Sequence, residues 1–395
     1  MKSDPTQFIL EHMTGTEVTL SGKQYLYFAG TSYFQLHSHQ ELLKAANDAT
    51  MKFGIGSATS RMMTGTTPQI MELEGKIAEF FGTEDAVYLP SGYLSNLAGF
   101  KALADQDLYD LIFIDESSHY SNIEGAEISG KRVVQFRHGS IEDLQKKLDQ
   151  HLKQELKPLI ASDGLFPTLG RLAPVGPYLE LAEKYNGVVW IDDSHGVGIL
   201  GRNGRGTCEH LELSSGKLFM GATLSKAFGA YGGIIPGSTE FIGRVRTGSV
   251  MTGSNSPMNA AVAAGVKGLE LVREQPEMRD KLWENARYLK NALKAAFKTG
   301  LRSGLIWDQT AETGSALFPS GNDEIPIIAF ATGDAKAMKA IHRSLLEKGI
   351  FIQYTTYRGT GKEGILRIVV SSSHTSAQMD TLVKGLIESI PEVIQ

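Results

Sequence analysis

The chain has 395 residues, 42% hydrophobic and 21% charged, which suits a globular protein of two or more domains. A formal net charge of −5 argues against nucleic-acid binding, because such binding needs a basic surface. The single cysteine, Cys208, excludes an intramolecular disulfide and fits a reducing compartment. No signal peptide and no membrane-spanning run is recognisable, so we expect a cytoplasmic protein.

Residues 1–47 are predicted to form an N-terminal arm. The alternation around Tyr25–Phe28 predicts a strand in a hairpin, and a helical pattern begins near His37. The small-residue stretch 54–67 contains Gly-x-Gly, but it lacks a third glycine and does not follow a strand. We therefore predict not a dinucleotide site but a loop that a ligand or a neighbouring chain approaches.

Strands and helices alternate regularly from residue 71 onward. Seven apolar runs predict strands, at 85–90, 110–115, 132–136, 157–162, 187–192, 217–222 and 232–237. Several of these runs are continuously apolar, which is typical of strands covered on both faces. The pattern predicts a large, doubly wound α/β domain with a mostly parallel sheet over residues 48–280. A long charged helix at 278–300 then leads into a smaller C-terminal α+β domain, residues 281–395.

Ligands of such sheets bind beyond the carboxyl ends of the strands, so the residues that follow each strand are the first candidates. The segment Ser91-Gly92-Tyr93 opens a helix and suits an anion such as phosphate, although an ordinary serine cap gives the same pattern. His119 is compatible with a base, a stacking ring or a solvated loop residue. Asp192 ends a strongly apolar strand, and His195 follows three residues later. This position favours a functional pair over a polar loop.

Lys226 lies among small residues in GATLSKAFGAYGG, close to Thr223 and Ser225. Taken alone it is compatible with a surface lysine or with a Schiff-base lysine. Together with a carboxylate and a phosphate cradle at neighbouring strand ends, it predicts pyridoxal 5′-phosphate (PLP) as cofactor. A metal site is disfavoured, since no compact ligand motif accompanies His119, Asp192 and His195. A serine nucleophile is disfavoured because no Gly-x-Ser-x-Gly elbow is present.

Five motifs between about Tyr25 and Ile387 resemble the α-oxoamine synthase family of fold-type I PLP-dependent enzymes. They are SGYLSN (91–96), DESSHYS (115–121), IDDSHGVGILGRNGRG (191–206), GATLSKAFGAYGG (221–233) and LRIVVSSSHT (366–375). The resemblance implies a fold-type I transferase in which two chains form a homodimer with shared active sites. It also implies a decarboxylative condensation of an amino acid with an acyl-CoA or an acyl-carrier thioester.

The same resemblance implies a role for individual residues. Lys226 would carry the Schiff base and move the α-proton, Asp192 would pair with the pyridine nitrogen, and His195 would bond the phenolic oxygen. His119 would stack on the ring. The cofactor phosphate would be bound by the Gly92 and Tyr93 amides, by the Thr223 hydroxyl and by Ser254 of a partner subunit. Ser91 and Ser225 would also bind the cofactor. Arg367 would hold the amino-acid carboxylate, for which a forked cation is suited, and Thr31 stands where the family has a substrate-binding asparagine.

The chain departs from the family pattern at Thr31, Ile70, Pro167 and the segment 354–360, and its N-terminal arm is shorter than usual. These departures concern the substrates more than the cofactor, so the amino acid and the acyl donor stay open. An α-oxoamine synthase is favoured. A different fold-type I activity, such as that of a class I/II aminotransferase, is the alternative. The intact Lys226, Asp192 and His195 argue against a non-catalytic scaffold.

Overall fold

The structure is a computed structural model that describes residues 8–153, 155–298 and 324–394. Its strands are β1 Leu10–Thr14, β2 Glu17–Leu20, β3 Lys23–Tyr27, β4 Asp85–Leu89, β5 Leu111–Asp115, β6 Arg132–Phe136, β7 Pro158–Asp163, β8 Leu165–Phe166, β9 Arg171–Leu172, β10 Val188–Asp192, β11 Leu218–Thr223, β12 Gly233–Gly237, β13 Ile327–Phe330, β14 Ile350–Phe351, β15 Gln353–Thr355 and β16 Ile365–Val369.

The helices are α1 Gln40–Phe53, α2 Pro68–Phe81, α3 Gly92–Asp105, α4 Tyr120–Ile128, α5 Ile141–His151, α6 Val175–Lys184, α7 Thr207–His210, α8 Thr239–Thr247, α9 Ser249–Thr252, α10 Asn259–Glu274, α11 Glu277–Lys298, α12 Ala335–Glu347 and α13 Ser376–Ile394. A 3₁₀ turn covers Leu36–Ser38, and a π-helical turn covers Arg61–Gly65 inside the stretch that the sequence predicted as a loop. Within the described ranges, no helix is both long and apolar enough to span a membrane.

Two compact units are present. The smaller combines residues 1–35, 167–171 and 277–395, and the larger combines residues 36–166 and 172–276. The N-terminal hairpin strand β3 pairs with β14, which lies more than three hundred residues further along the chain, so the two chain ends share one unit. The division into 1–47, 48–280 and 281–395 stays a prediction of domain boundaries.

The larger unit contains a seven-stranded sheet in the order β4-β12-β11-β10-β7-β5-β6. Only β12 runs against its neighbours, which confirms the predicted α/β fold with a mostly parallel sheet. The central strands β5, β7 and β10 are buried along their whole length, because helices cover both faces of the sheet. Trp190, in the centre of β10, is completely buried in the core on one of these faces.

The smaller unit contains a four-stranded sheet, β1-β2-β3-β14, and a three-stranded sheet, β13-β16-β15. Its core is an apolar cluster that includes Phe28, Leu289, Ile341, Leu366 and Leu382. The predicted mixture of strands and helices in the C-terminal part of the chain is therefore confirmed. The N-terminal segment contributes Phe28 to the same core, which composition and periodicity did not indicate.

Candidate active site

A cavity of about 220 Å³ lies in the larger unit, at the edge of the sheet where the parallel strands end. It is lined by Ser91, Gly92, Tyr93, His119, Ser121, Asp163, Asp192, Ser194, His195, Thr223, Ser225, Lys226, Tyr231 and Gly232. The carboxyl ends of parallel strands meet at one sheet edge, and the fold thereby assembles side chains that are far apart in sequence. All the cofactor-site candidates except Ser254 lie in this cavity.

Lys226 lies in a tight turn that begins at the end of β11. The turn is closed by bonds from the Leu224 amide to the Gly232 carbonyl (2.9 Å) and from the Ala230 amide to the Leu224 carbonyl (3.0 Å). Gly232 has φ +104°, and a Cβ there would fall 2.3 Å from the Tyr88 ring, so only glycine fits. The small residues around the lysine therefore serve the geometry of the turn, and the turn presents the Lys226 side chain to the cavity.

The start of α3 forms a second wall of the cavity. The Ser91 side chain accepts a hydrogen bond from the Leu94 amide, which confirms the serine cap but does not exclude a role toward an anion. A Cβ on Gly92 would lie 2.6 Å from Thr223 Cβ, so the glycine allows the helix start to touch the end of β11. The Thr223 hydroxyl bonds the Gly232 carbonyl (2.8 Å) and lies 2.9 Å from the Ser225 hydroxyl. Amides at a helix start, together with hydroxyls, suit a phosphate group.

Two buried carboxyl groups lie side by side at the sheet edge. Asp192 ends β10 and is in register with Asp163 at the end of β7. Asp163 accepts hydrogen bonds from the His119 amide (3.0 Å) and from Asn122 Nδ2 (2.9 Å). Burial, and then the Asp192 charge, hold the pKa of Asp163 well above its usual range. Both oxygens of Asp192 accept hydrogen bonds, Oδ1 from the Ser194 amide (3.0 Å) and Oδ2 from Asn96 Nδ2 (2.6 Å), so Asp192 is the member of the pair that is suited to face a positively charged ring nitrogen.

A third buried carboxyl group, Asp193, holds the loop that follows β10. It accepts hydrogen bonds from the Thr207 amide and the Thr207 hydroxyl, both at 2.6 Å. Burial raises the pKa of Asp193 to about 7, against the opposing effect of the Thr207 bonds. Asp193 is absent from the cavity lining, and its bonds instead order the loop that carries His195.

His119 caps the start of α4 and faces the cavity. Its Nδ1 accepts a hydrogen bond from the Ser121 amide (3.2 Å), so the neutral ring carries its proton on Nε2. Burial lowers the pKa of His119 below its ordinary value, and the Lys226 charge acts in the same direction. Tyr93 meets the histidine ring edge-on at 6.4 Å and hydrogen-bonds the Glu124 carboxylate. A neutral imidazole held in this way is suited to lie against an aromatic ring.

Arg367 and Thr31 belong to the smaller unit. Arg367 is only 8% exposed, and its Nη2 donates to the Gly30 carbonyl (2.9 Å). Its Nε has no hydrogen-bond partner, and no carboxylate among the described residues pairs with it. Burial lowers the pKa of this arginine, against the opposing effect of the Tyr33 and Tyr27 hydroxyls. A buried guanidinium with a free donor is a site for an incoming anion.

The remaining sequence candidates have other surroundings. Ser254 is not among the residues that line the cavity, and its hydroxyl donates to the Val250 carbonyl (2.7 Å). Ile70 is completely buried in α2, and the Thr168 hydroxyl next to Pro167 reaches the Arg358 carbonyl at 3.4 Å.

Sequence reasoning gave no role to Ser121, Asp163, Ser194, Tyr231 and Gly232, which also line the cavity. Asp163 could have been found, because it directly follows an apolar strand, as Asp192 does. Nothing in the sequence pattern singles out Tyr231, whose side chain is 60% exposed.

Three features of the cavity fit PLP: a lysine amine, a carboxyl group at a strand end, and a helix start with neighbouring hydroxyls. Among the described residues, no group of histidine, cysteine and acidic side chains could hold a metal ion.

Comparison with known proteins gives the same assignment. The sequence model of the family "Aminotransferase class I and II" matches residues 20–386. The chain is 33% identical to 8-amino-7-oxononanoate synthase of Thermosipho melanesiensis over 373 residues, which are 94% of this chain and 90% of that protein. It is 31% identical to 8-amino-7-oxononanoate synthase 1 of Bacillus subtilis, over 94% of this chain and 89% of that one.

Solved structures of serine palmitoyltransferase are similar over almost the whole chain. The enzyme of Sphingomonas wittichii superposes with a TM-score of 0.87 at 25% identity and covers 99% of this chain and 93% of its own. A variant from S. paucimobilis with a bound PLP–myriocin aldimine has a TM-score of 0.86 at 28% identity, with 99% and 94% covered. Motifs, fold and relatives agree: the chain is a PLP-dependent transferase and belongs to the aminotransferase class I and II family, within its α-oxoamine synthase group.

Proposed function

We propose that this chain condenses an amino acid with an acyl thioester and releases carbon dioxide, as an 8-amino-7-oxononanoate synthase-like acyltransferase. The observation that carries the proposal is the single cavity in which Lys226, Asp192, His119 and the start of α3 converge. PLP, when bound, supplies an electron sink for the negative charge that develops at the α-carbon of the amino acid. The residues of the chain bind and orient the cofactor and the substrates, and they transfer protons.

Each residue has one task in this proposal. The Lys226 amine binds the cofactor and later accepts the proton from the α-carbon. The Asp192 carboxylate would pair with the ring nitrogen and keep it protonated, while His119 would lie against the ring and His195 would bond the phenolic oxygen. The amides at the start of α3 and the hydroxyls of Ser91, Thr223 and Ser225 would hold the phosphate.

The reaction balances without an oxidant. The α-proton moves to the Lys226 amine, the carbon forms a bond to the acyl carbonyl, and the carbon–sulfur bond breaks to release a thiolate. The bond to the carboxylate then breaks, carbon dioxide leaves, and a proton returns to the carbon. Arg367 holds the carboxylate of the amino acid until it is lost, since its Nε is buried and has no partner within the described residues. Thr31, in the same unit, is the second substrate contact.

The assembly in this proposal is a homodimer in which each subunit completes the site of the other. Ser254 supports it, because this residue matches a serine that in the α-oxoamine synthase family reaches the phosphate of the partner subunit, and it lies outside the cavity of its own chain. The substrates are an amino acid and an acyl-CoA or acyl-carrier thioester. Class I/II aminotransferase activity is the alternative, and the departures from the family pattern at Thr31, Ile70, Pro167 and 354–360, with the shorter N-terminal arm, are the observations that favour it.

Two measurements test the proposal. The purified protein should bind PLP with a visible absorption band, and Lys226→Ala should abolish that band. Incubation with glycine, L-alanine or L-serine and acyl-CoA thioesters of increasing chain length should release free thiol and carbon dioxide in equal amounts. A protein that stays colourless with added PLP would refute the cofactor roles. Amino transfer to a keto acid, without thiol release from any donor, would establish the alternative.

A further inference from the structure

Asn96, on α3, is a buried amide directly behind the cavity wall. It is 1% exposed and does not line the cavity, and its motif, SGYLSN, gave it no role. Its Nδ2 donates to Asp192 Oδ2 at 2.6 Å and to Ser121 Oγ at 2.8 Å, and its Oδ1 accepts from Trp190 Nε1 at 3.0 Å. The three bonds use one acceptor atom and both donor hydrogens of the amide.

Chemistry fixes the orientation of this amide. An indole nitrogen can only donate, so the amide oxygen must face Trp190. A carboxylate can only accept, so the amide nitrogen must face Asp192, and both requirements give the same orientation. The Trp190 ring is itself held rigidly, because a Cβ on Gly99 would lie 1.9 Å from its Cη2. The Asn96 amide is therefore fixed by the buried Trp190 ring, and it in turn fixes the position of the Asp192 carboxylate.

The second branch leads to His119. Ser121 Oγ accepts from Asn96 and lies 2.7 Å from His119 Nδ1, which also accepts from the Ser121 amide. Because Nδ1 is an acceptor, the serine hydroxyl must donate to it. The direction of every hydrogen bond from Asn96 to His119 is therefore determined. Asn96 thus connects the carboxylate and the histidine ring through a single, fully satisfied network.

We propose that Asn96 is a positioning residue that holds the Asp192 carboxylate and the His119 ring in the orientations in which they meet the cofactor. The inference rests on the proposed function, because it concerns the same cavity. Asparagine is required here. Aspartate lacks the two donors, serine has one, and glutamine is a methylene too long for a site without free space.

The test compares Asn96→Ala and Asn96→Asp with the wild-type protein, using the dissociation constant of PLP and the pH dependence of the visible band. Asn96→Ala should weaken PLP binding about tenfold to a hundredfold at every pH, since a hydrogen bond to a charged group is lost. Asn96→Asp should behave differently. When protonated, its carboxyl group can accept from Trp190 and donate to Asp192, so its binding defect should be small at low pH and grow as the pH rises.

The titratable groups that act on His119 and Asp163, next to the Asn96 network, are Asp192, Lys226, Glu124 and Asp115. Wild-type protein, measured at each pH, corrects for their titration. Tyr109→Phe is the matched control for loss of a buried hydrogen bond. The Tyr109 hydroxyl donates to the carbonyl of Phe100, which lies on the same helix as Asn96. This variant should lower the melting temperature and leave the affinity for PLP and the pH profile unchanged. Ser121→Ala breaks only the branch to His119 and should give a smaller loss of affinity than Asn96→Ala.

Failure of the proposed function and failure of the positioning role give different results. Wild-type protein that fails to bind PLP would refute the proposed function. Wild-type protein that binds PLP while both Asn96 variants bind it equally well, with the same pH profile, would refute the positioning role alone. If Asn96→Ala does not fold, the isosteric Asn96→Asp decides the question. A defect of the same size at low and high pH would then count against the proposed network.

Discussion

Arg367 is a buried cation without a carboxylate partner among the described residues, and this makes its substitution informative. Arg367→Met should raise the KM for the amino acid about tenfold to a hundredfold, because a charged hydrogen bond to the substrate is lost. The free energy of unfolding should stay unchanged or rise by about 1 kcal/mol, because a desolvated charge is removed. Steady-state kinetics and denaturant unfolding measure the two effects.

Arg61 provides the matched control. Its side chain is only 9% exposed, but it pairs with Glu74 at 2.5 Å and donates to the Tyr88 carbonyl. Arg61→Met leaves the buried Glu74 carboxylate with Arg246 as its remaining cation, at 3.1 Å, and should lower the free energy of unfolding by about 1.5–3 kcal/mol, because a charged hydrogen bond is lost. An equally large loss in Arg367→Met would show that Arg367 is structural. An unchanged KM would place the substrate carboxylate elsewhere.

At the scale of elements, the contact between the start of α3 and the end of β11 depends on one missing side chain. Gly92→Ala should weaken PLP binding at least about tenfold, since the added methyl group would lie 2.6 Å from Thr223 Cβ and displace a phosphate-binding wall. Helix propensity alone would predict the opposite effect on stability, because alanine is the better helix former. A titration of the cofactor-free protein with PLP measures the change.

Gly243→Ala controls for the general effect of adding a methyl group to a helix. Gly243 lies inside α8, and nothing is within 4 Å of the position that its Cβ would take. This variant should gain about 0.5–1 kcal/mol of stability and bind PLP as the wild type does. If Gly92→Ala behaves in the same way, the close approach of α3 and β11 is not needed for binding.

The elements themselves were largely predictable from sequence, and the reason is physical. Strands such as β5 and β10 are covered on both faces, so their sequences are continuously apolar and easily recognised. The positions after those strands also indicated the cavity, because parallel strands bring their ends together. Asn96 was not predictable, since its role depends on contacts with residues up to 96 positions away, which no local pattern encodes.

At the scale of the whole molecule, pairing between distant parts of the chain limits prediction. The early strand β3 joins β14, and the parallel pairing carries no local signal. The larger unit also leaves apolar side chains exposed on segments that are near one another. This methionine patch comprises Met51, Phe53, Ile55, Met62, Met63, Met71 and Met258, with Met51 80% and Met63 76% exposed.

The methionine patch lies next to the segment that carries Ser254. Ser60 pairs with Asn255 in a β-bridge, and the Asn259 amide donates to the Ile55 carbonyl at 3.0 Å. An apolar surface of this kind is typical of a protein interface, and flexible methionines adapt well to a partner. We therefore expect the patch to be the contact between the two subunits of the proposed homodimer.

The double substitution Met51→Glu/Met63→Glu places two charges on the patch and should convert the dimer into a monomer at micromolar concentration. Light scattering after size-exclusion chromatography measures the mass. The monomer should also bind PLP more weakly, because the proposed contact between Ser254 of a second copy and the phosphate is lost. Ile128→Glu, at an exposed apolar position at the end of α4, is the control and should remain dimeric. A wild-type monomer, or a double variant that stays dimeric, would contradict the shared-site arrangement and leave each cavity to work alone.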